Sequence, residues 1–343
     1  MANLLTEYED IVNDPVKAGI AETIVIDNPL LRVLPHKGIT SNTIKYKMET
    51  AEAVARGYEV GEEWVESTGT WEDRYADLMI LGDDADTDKF IISTMGAQEN
   101  IEAENVKLVS KAISNLHAKL AIMGKTTSVA TYSSSKNMKG LLRLIAECEG
   151  TTITDLDGGL TGGTSTANND RVLVRASNAS GALTLAYVDE LLDMVRPNAT
   201  HLLSSRAFRR KMNTLAQASG TNLEHDKGVL GMPVTRYGDV EILVSDGVFD
   251  NLDDPSTLVT ALTTYAAGQT RGAADDITPV FALRVGEDGF CGITSAQNGM
   301  IQVEPIGTLQ NKDAIRTRVK FYCGLALFNK LAAAVMTACC MTD

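Results

Sequence analysis

The sequence predicts an α+β fold, because its helices and strands fall in separate blocks and do not alternate strictly along the chain. The strongest helix is residues 101–123, where apolar side chains recur at steps of three and four and line one face. The cleanest strand is residues 313–327, where apolar and polar side chains alternate. The 343 residues are 44% hydrophobic and 22% charged, which indicates a globular chain of two domains or one elaborate domain.

The helix at 101–123 carries its own start and stop signals. Glutamates open it, lysines follow further along, and Gly124 stands directly after it, as the helix dipole and C-terminal capping favour. At 1.5 Å per residue the helix is about 35 Å long, which predicts a spine for the molecule. Its apolar face is predicted to consist of Val109, Ile113, Leu116, Leu120 and Met123.

Shorter elements account for much of the remaining chain. Asp14 and Pro15 suit the start of a short amphipathic helix, and the composition of residues 155–170 is typical of a flexible loop. Apolar periodicity predicts three further helices, at residues 136–147, 185–195 and 206–219. Strands are predicted at residues 43–49, 75–81, 200–205, 240–245, 280–285 and 290–294.

The chain is acidic, and the acidity is concentrated in one segment. The formal net charge is −14, and residues 49–88 hold thirteen Asp and Glu against two Arg, a net of −11. Glycines punctuate this segment and apolar runs accompany it, which predicts a long hairpin with a polar tip. The negative charge and the 5% aromatic content disfavour a dedicated nucleic-acid surface, since phosphate contacts need clustered Lys and Arg.

Cysteine usage and hydropathy argue against secretion and against a membrane anchor. The five cysteines form no C-x-x-C pair, and the chain opens MANLLTEYED without a basic and then apolar leader. The most apolar stretch, residues 323–341, is interrupted by Asn329 and Lys330 and is expected in the protein core.

Residues 81–90, LGDDADTDKF, raise the question of a metal site. Asp84, Asp86 and Asp88 imitate the opening of a calcium loop. However, Lys89 stands where that loop needs Gly, and Met95 stands where it needs a bidentate Glu. A calcium site is therefore not expected, and an enzyme with a metal at these three aspartates is kept only as a rival hypothesis.

The search for other catalytic constellations also fails. The glycines at 158–163 have the spacing of a phosphate loop, but Thr164 replaces the lysine that would reach the phosphates. The four histidines show no metal-ligand spacing, and there is no nucleophile elbow. The basic run at 206–211 falls on two sides of one helix and favours a solvated or intersubunit face over nucleic acid. The sequence predicts no catalytic, cofactor or metal residue, and the expected role is not enzymatic.

The order of these elements resembles the major capsid protein of tailed bacteriophages, which has the Hong Kong 97-type fold. The likeness covers nearly the whole chain and rests on the order and spacing of its elements. The segments that carry it are NMKGLLRLIAE, the helix, strand and helix of residues 183–217, the G-x-P-V region of residues 228–247, and the closing strands of residues 277–294 and 315–335.

The resemblance implies a division of the chain into an N-terminal arm, an extended hairpin (the E-loop), a peripheral (P) domain built on the spine helix, and an axial (A) domain. The arm is expected at residues 1–38, the P domain at 39–48 and 90–134 with the spine at 99–123, the E-loop at 49–89, the A domain at 135–277, and the returning P domain at 278–343.

The resemblance also implies a function. The chain is expected to assemble with itself into hexamers and pentamers of an icosahedral phage head, built in the cytoplasm of a bacterial host. The head would enclose double-stranded DNA, held only non-specifically, with portal, scaffold and decoration proteins as further partners and no membrane. The alternative is an encapsulin-like compartment that holds a cargo enzyme.

Two features of that family are not matched. Some members carry a long N-terminal scaffolding region that a protease removes, whereas this sequence starts directly at the arm. Either a separate scaffold protein or a sequence that represents the mature form is therefore expected. Some members also crosslink a lysine of the E-loop to an asparagine of a neighbour. Here no lysine occurs between Ala51 and Asp88, and Lys89 and Asn311 are weak candidates, so covalent crosslinking is not expected.

Intersubunit contacts are expected along the acidic segment, because exposed aromatic and arginine side chains are the usual anchors of interfaces. A merely local aromatic cluster is the alternative. The candidates are Tyr58, Trp64, Trp71, Arg74, Tyr75, Asp83, Asp84, Asp86 and Asp88. Repulsion among the four aspartates is expected to be relieved by an Arg or Lys of a neighbouring subunit, or by Lys89.

Overall fold

The computed structural model describes most of the chain, in nine segments. They are residues 28–95, 101–125, 134–148, 172–174, 183–219, 224–227, 233–248, 278–297 and 299–337. The helix predicted at Asp14 and the loop predicted at 155–170 lie outside these residues.

Helices and strands occur in blocks, as the prediction of an α+β fold requires. The helices are α1 (Pro29–Val33), α2 (Lys89–Met95), α3 (Ile101–Met123), α4 (Leu141–Cys148), α5 (Leu185–Asp193) and α6 (Arg206–Ser219). The strands are β1 (His36–Ile39), β2 (Thr43–Ala51), β3 (Thr70–Asp77), β4 (Met79–Asp88), β5 (Val172–Val174), β6 (His201–Ser204), β7 (Glu224–Lys227), β8 (Pro233–Tyr237), β9 (Val240–Val244), β10 (Val280–Leu283), β11 (Phe290–Ser295), β12 (Ile301–Thr308), β13 (Ala314–Leu327) and β14 (Ala333–Thr337). None of the described helices combines the length and the apolar character needed to cross a membrane.

The long strand β13 organises a five-stranded sheet. Along Ala314 to Cys323 it pairs antiparallel with β4 on one edge, and β12 pairs antiparallel on the other. Its last residues pair with β11, beside which β1 runs parallel. The alternation predicted for this strand is confirmed, because Val319, Phe321 and Cys323 are buried while the residues between them are half-exposed.

Helix α3 packs against this sheet, and its predicted bounds are confirmed. Val106, Ile113 and Leu120 are buried in the main core, and the ring of His117 meets Phe321 edge to face at 5.3 Å between centroids. One predicted core position is wrong: Leu116 is exposed and its neighbour His117 is buried. The buried stripe is rotated because the polar residues Ser110, Ser114 and His117 belong to it, and a count of apolar residues cannot detect them.

Helix α4 begins at Leu141, whereas the sequence predicts its start near residue 136. The reason is a close approach of two backbone segments. The amide of Gly140 donates to the carbonyl of Gly124 at 3.0 Å, and a β-carbon on either glycine would overlap the backbone of the other segment. Residues 138–140 therefore run past the end of α3 in a non-helical conformation before α4 starts.

The second sheet has seven strands, in the order β5-β14-β10-β6-β9-β8-β7. Its central strands alternate sides. Phe281 and Leu203 point into the main core, while Ala282 and Leu202 point into a second core beneath α5 and α6. Phe208 of α6 is fully buried in that second core.

The acidic segment is divided between two different sheets. Its first part lies in a two-stranded sheet formed by β2 and β3 alone among the described strands. Residues 79–88, which the resemblance assigned to the end of the E-loop, form β4 of the five-stranded sheet. Leu81, Ala85 and Thr87 alternate with polar residues on β4 and are buried, which is the physical reason that this stretch is a strand.

Candidate functional site: an acidic hairpin and its attachment

The hairpin of β2 and β3 is long, and only its base is buried. The two strands pair antiparallel from Thr43↔Asp77 at the base to Ala51↔Thr70. At the base, Met48 and Ala76 are buried and Tyr46 packs edge to face on Phe328 at 4.9 Å. The far half has no such partner among the described residues, so the sequence from residue 52 to residue 69 is almost entirely exposed. A ribbon of two strands is marginally stable alone, which suits an element that gains contacts elsewhere.

The tip of the hairpin is ordered by its own side chains. The ring of Tyr58 stacks on that of Trp64 at 4.3 Å between centroids. The Tyr58 hydroxyl donates to the carbonyl of Val65 at 3.2 Å and accepts from the Val65 amide at 3.1 Å. A turn at Glu59 to Glu62 reverses the chain, with Gly61 at φ +92°, a conformation that favours glycine. The sequence-predicted pair Tyr58 and Trp64 is therefore brought into contact.

The aromatic side chains of the hairpin nevertheless stay largely exposed. Trp64 is 81% exposed and Trp71 is 66% exposed, and Tyr75 also faces solvent on β3. Valines accompany them at the tip, namely Val54, Val60 and Val65. These side chains lie among glutamates, so the hairpin presents a surface that is both apolar and acidic. Exposed apolar groups of this kind, rimmed by polar ones, are typical of protein interfaces.

Strand β3 is attached to the body of the molecule by a polar cluster that sequence reasoning missed. Arg74 donates from Nη2 to the carbonyl of Glu147 at 2.5 Å. Lys139 donates to the carbonyl of Tyr75 at 3.0 Å, and its Nζ lies 3.0 Å from the Glu147 carboxylate. Arg143 makes a further ion pair with Glu147 at 3.1 Å. The Arg74 guanidinium, predicted as an intersubunit contact, is thus engaged within its own chain and holds the hairpin against α4.

The aspartates at 84 and 86 are paired across the sheet with arginines of β13. Arg318 donates from Nε and Nη2 to the two carboxylate oxygens of Asp84, at 2.6 and 3.0 Å. Arg316 binds Asp86 in the same two-pronged way, at 2.6 and 2.7 Å. The register explains the match, because Asp84 stands opposite Arg318 and Asp86 stands opposite Arg316. On the other edge of β13, Lys320 reaches Glu304 at 2.6 Å.

These pairs lower the pKa of each carboxyl group involved. Hydrogen bonds from Arg318 hold the pKa of Asp84 below its ordinary value, and hydrogen bonds from Arg316 do the same for Asp86. The hydrogen bond from Lys320 likewise lowers the pKa of Glu304. The charged form of all three groups is the one that the sheet stabilises.

Lys89 does not relieve the aspartates as expected, and arginines of the same chain pair with two of them; contact of a neighbouring subunit with this strand stays a prediction. Lys89 pairs with Asp313 at 3.0 Å, and arginines of the same chain neutralise Asp84 and Asp86. Asp83 accepts from the adjacent amide, while Asp88 accepts from the amide of Phe90 at 2.7 Å, at the start of α2.

A signal for this pairing is present in the sequence. The spacing D-x-D-x-D at 84–88 is complementary to R-x-R-x-K at 316–320, as expected for facing antiparallel strands. The rival hypothesis of a metal at these aspartates finds no support, because guanidinium groups occupy the oxygens of two of them. Within the part of the chain that the structure describes, no group of three or more His, Cys, Asp and Glu could hold a metal ion.

Three histidines are placed in or near the core in a neutral form. Burial lowers the pKa of His36 to about 4, that of His117 to about 3 and that of His201 to about 4. The side-chain amide of Asn28 lies 3.0 Å from Nδ1 of His117 and donates to it. Packing and hydrogen bonding therefore account for His117.

Comparison with solved structures finds likeness across almost the whole chain. The chain is similar to the SrpI encapsulin from Synechococcus elongatus, solved as a holo complex, with a TM-score of 0.60 and 16% identity over 92% of this chain and 88% of that chain. It is also similar to the capsid of a native GTA particle, with a TM-score of 0.59 and 11% identity over 92% of this chain and 90% of that chain.

A third similar structure comes from Mycobacterium phage Ogopogo, with a TM-score of 0.56 and 16% identity over 91% of this chain and 92% of that chain. No protein-family profile and no curated protein sequence matches the chain. Identities this low identify a fold and not a function. Because the structural likeness extends over at least nine-tenths of the chain, the chain has the Hong Kong 97-type capsid fold.

Proposed function

We propose that this protein is the subunit of a self-assembling shell. The observation that carries the proposal is the hairpin of β2 and β3, which projects exposed tryptophans and acidic side chains from a chain with a capsid fold. Interfaces are commonly anchored by aromatic side chains, and an extended ribbon gains stability when another copy covers it. The role is structural and involves no catalysis.

Within that role, the proposed shell is a phage head built from hexamers and pentamers that encloses double-stranded DNA. The net charge of −14 supports this content, since an acidic wall would not trap a packaged polyanion. The subunit would assemble in the cytoplasm of a bacterial host, with portal, scaffold and decoration proteins as partners. The similarity to a GTA capsid and to a Mycobacterium phage structure favours this form of the proposal.

The second candidate is a compartment that holds a cargo protein. The observation that favours it is the similarity to the SrpI encapsulin, whose TM-score of 0.60 is as high as that of the GTA capsid at 0.59. The subunit fold is shared, so the contents of the particle separate the two candidates.

Negative-stain microscopy of the expressed chain tests the shell, and nucleic-acid assay of particles from the natural source tests its contents. Closed particles with nuclease-protected double-stranded DNA are expected. Small uniform particles filled with protein would contradict the phage head and support the cargo compartment. A chain that stays monomeric at micromolar concentration, over a range of salt, would overturn the shell itself.

A further inference from the structure

The spine helix α3 has a second face that none of the described residues buries. Its outward side chains form two adjacent stripes: Leu108, Ala112 and Leu116 in one, and Lys107, Lys111, Asn115 and Lys119 in the other. Leu108 is 60% exposed and Leu116 is 44% exposed. The three lysines make no ion pair with any described carboxylate. A helix with apolar residues on both faces normally packs on both sides. We call these seven residues the outer stripe.

The chain enters the described structure beside this helix. Asn28 is fully buried, and its side chain donates to His117 of α3. Leu30 and Leu31 follow it into the core. Asn28 is therefore fixed beside the spine helix, and the segment that precedes it is tethered at this point.

Residues 1–27 match the outer stripe in charge and in apolar content. They hold six acidic residues and one lysine, a net of −5. The stripe carries three lysines that pair with no carboxylate in the part of the chain that the structure describes. Apolar residues recur among the acids, including Leu4, Leu5, Ile11 and Val12. Opposite charges flanking apolar side chains on both partners give specificity as well as attraction.

Residues 1–27 are also long enough to reach every part of the outer stripe. The stripe spans about 18 Å from Lys107 to Lys119 at 1.5 Å per residue. Twenty-seven residues extend to at most about 97 Å. Because the segment is tethered at Asn28, its effective concentration near the stripe is on the order of millimolar, which favours it over an untethered partner.

We propose that residues 1–27 dock on the outer stripe of the same chain, covering Leu108 and Leu116 and pairing their carboxylates with Lys107, Lys111 and Lys119. The proposal goes beyond shell formation and does not depend on it, because both partners belong to one chain.

Hydrogen–deuterium exchange of the unassembled full chain tests the docking, because protection measured there cannot come from contacts between subunits. Amides of residues 1–27 are expected to exchange at least about tenfold more slowly than in a synthetic peptide of residues 1–27. The double variant Leu108→Gln and Leu116→Gln, which keeps helix-forming residues at exposed positions, should remove most of that protection. Ile80→Gln, another exposed apolar residue replaced in the same way, should leave it unchanged.

The charge component is tested separately by replacing the three lysines with glutamine. Protection should fall in that variant, and protection of the wild-type chain should fall with added salt. Exchange of the wild-type segment at the rate of the free peptide would overturn the docking. Protection that survives in the Leu108→Gln and Leu116→Gln variant would place the segment on another surface and would also overturn it.

Carbodiimide crosslinking shows whether the segment that covers the outer stripe belongs to the same chain or to another molecule. Unlabelled and nitrogen-15 chains are mixed before assembly, and links between the stripe lysines and carboxylates of residues 1–27 are analysed by mass. Links within one isotope class are expected. Links that join the two isotope classes would show that the segment on the stripe belongs to a second copy, and they would overturn the proposal. Protection that disappears after nuclease treatment would show that nucleic acid covers the stripe.

Discussion

At the scale of single residues, two bidentate ion pairs explain how an acid-rich strand is stable inside one subunit. Asp84 with Arg318 and Asp86 with Arg316 are each joined by two hydrogen bonds, the arrangement that makes a surface ion pair effective. All four side chains remain between a quarter and two-fifths exposed, so solvent screens them and their contribution to stability is modest. Their clearer effect is on register, because a slip of one residue would turn the aspartates to the buried face of β4.

The ion pairs predict an intrachain coupling between Asp86 and Arg316. Asp86→Asn and Arg316→Gln should each lower the thermal midpoint of the unassembled subunit by about 1–3 °C. The double variant should lose clearly less than the sum of the two, since both single changes remove the Asp86–Arg316 contact. Arg316→Gln also removes a second contact of Arg316, with Asp84 at 3.2 Å. Differential scanning calorimetry of unassembled subunits measures this, with Asp83→Asn as the neighbouring control. Strict additivity would mean that the two side chains are not coupled within the subunit.

The buried His117 and the half-buried His36 predict a loss of stability on mild acidification. The folded-state pKa values of His36 and His117 lie near 4 and 3, below the ordinary value of 6.5, so the unfolded state takes up protons first as the pH falls. The stabilisation is complete above about pH 6.5 and is lost as the pH falls toward the folded pKa values. Each histidine should account for roughly 2 kcal/mol between pH 7 and pH 5.

Urea denaturation of unassembled subunits across that pH range measures the effect. His117→Gln keeps a hydrogen-bond acceptor for Asn28 but cannot titrate. This variant should show a shallower dependence of unfolding free energy on pH, whatever its absolute stability. An unchanged slope would show that His117 is not the titrating group.

At the scale of elements, the main structural fact is that the acidic segment divides where β3 ends and β4 begins. Asp77 closes β3, Met79 opens β4, and the Leu78 amide donates to the carbonyl of Asn42 at 2.9 Å. The chain therefore passes directly from the hairpin into β4, which is a strand of the five-stranded sheet. Beyond this junction, close packing holds β4 against β13, because a β-carbon on Gly82 would lie 2.6 Å from the Val319 carbonyl oxygen.

Elements with strong periodicity could be predicted from the sequence, and contacts between distant segments could not. The bounds of α3 and α6 and the alternation of β13 follow from local patterns. The strand identity of residues 83–88 was missed because charged residues occupy its outer face and the buried residues, Ala85 and Thr87, are small or polar. The attachment of Arg74 to Glu147 joins residues 73 positions apart, and no local pattern encodes it.

The hairpin tip predicts an assembly-specific effect of Trp64→Ala. The side chain is 81% exposed, so the stability of the unassembled subunit should change by less than about 0.5 kcal/mol. If Trp64 anchors an adjacent copy, its loss should weaken the contact by about 2 kcal/mol or more and raise the concentration needed for assembly at least tenfold. Light scattering against concentration measures this. Phe90→Ala, an exposed aromatic outside the hairpin, is the control. Equal effects of the two changes would remove any special role of the tip.

At the scale of the whole molecule, the hairpin and the core are separable. The main core and the second core involve both large sheets and the helices, whereas only the base of the hairpin enters a buried cluster. Residues 52–69 can therefore be removed without opening either core. Because Ala51 pairs with Thr70, a two-residue Asn-Gly turn can replace them and close the two strands as a tight hairpin.

That replacement should produce a subunit that folds but does not build a shell. Its circular dichroism and urea midpoint should match those of the full chain, since no buried residue is lost. Negative-stain microscopy should show isolated subunits or small oligomers, whereas the full chain is expected to give closed particles, because the exposed aromatics and nearby acids of the tip are gone. Closed particles of normal size from the shortened chain would mean that the tip contributes nothing to assembly, and the hairpin would then be an exposed ribbon without a role in the shell.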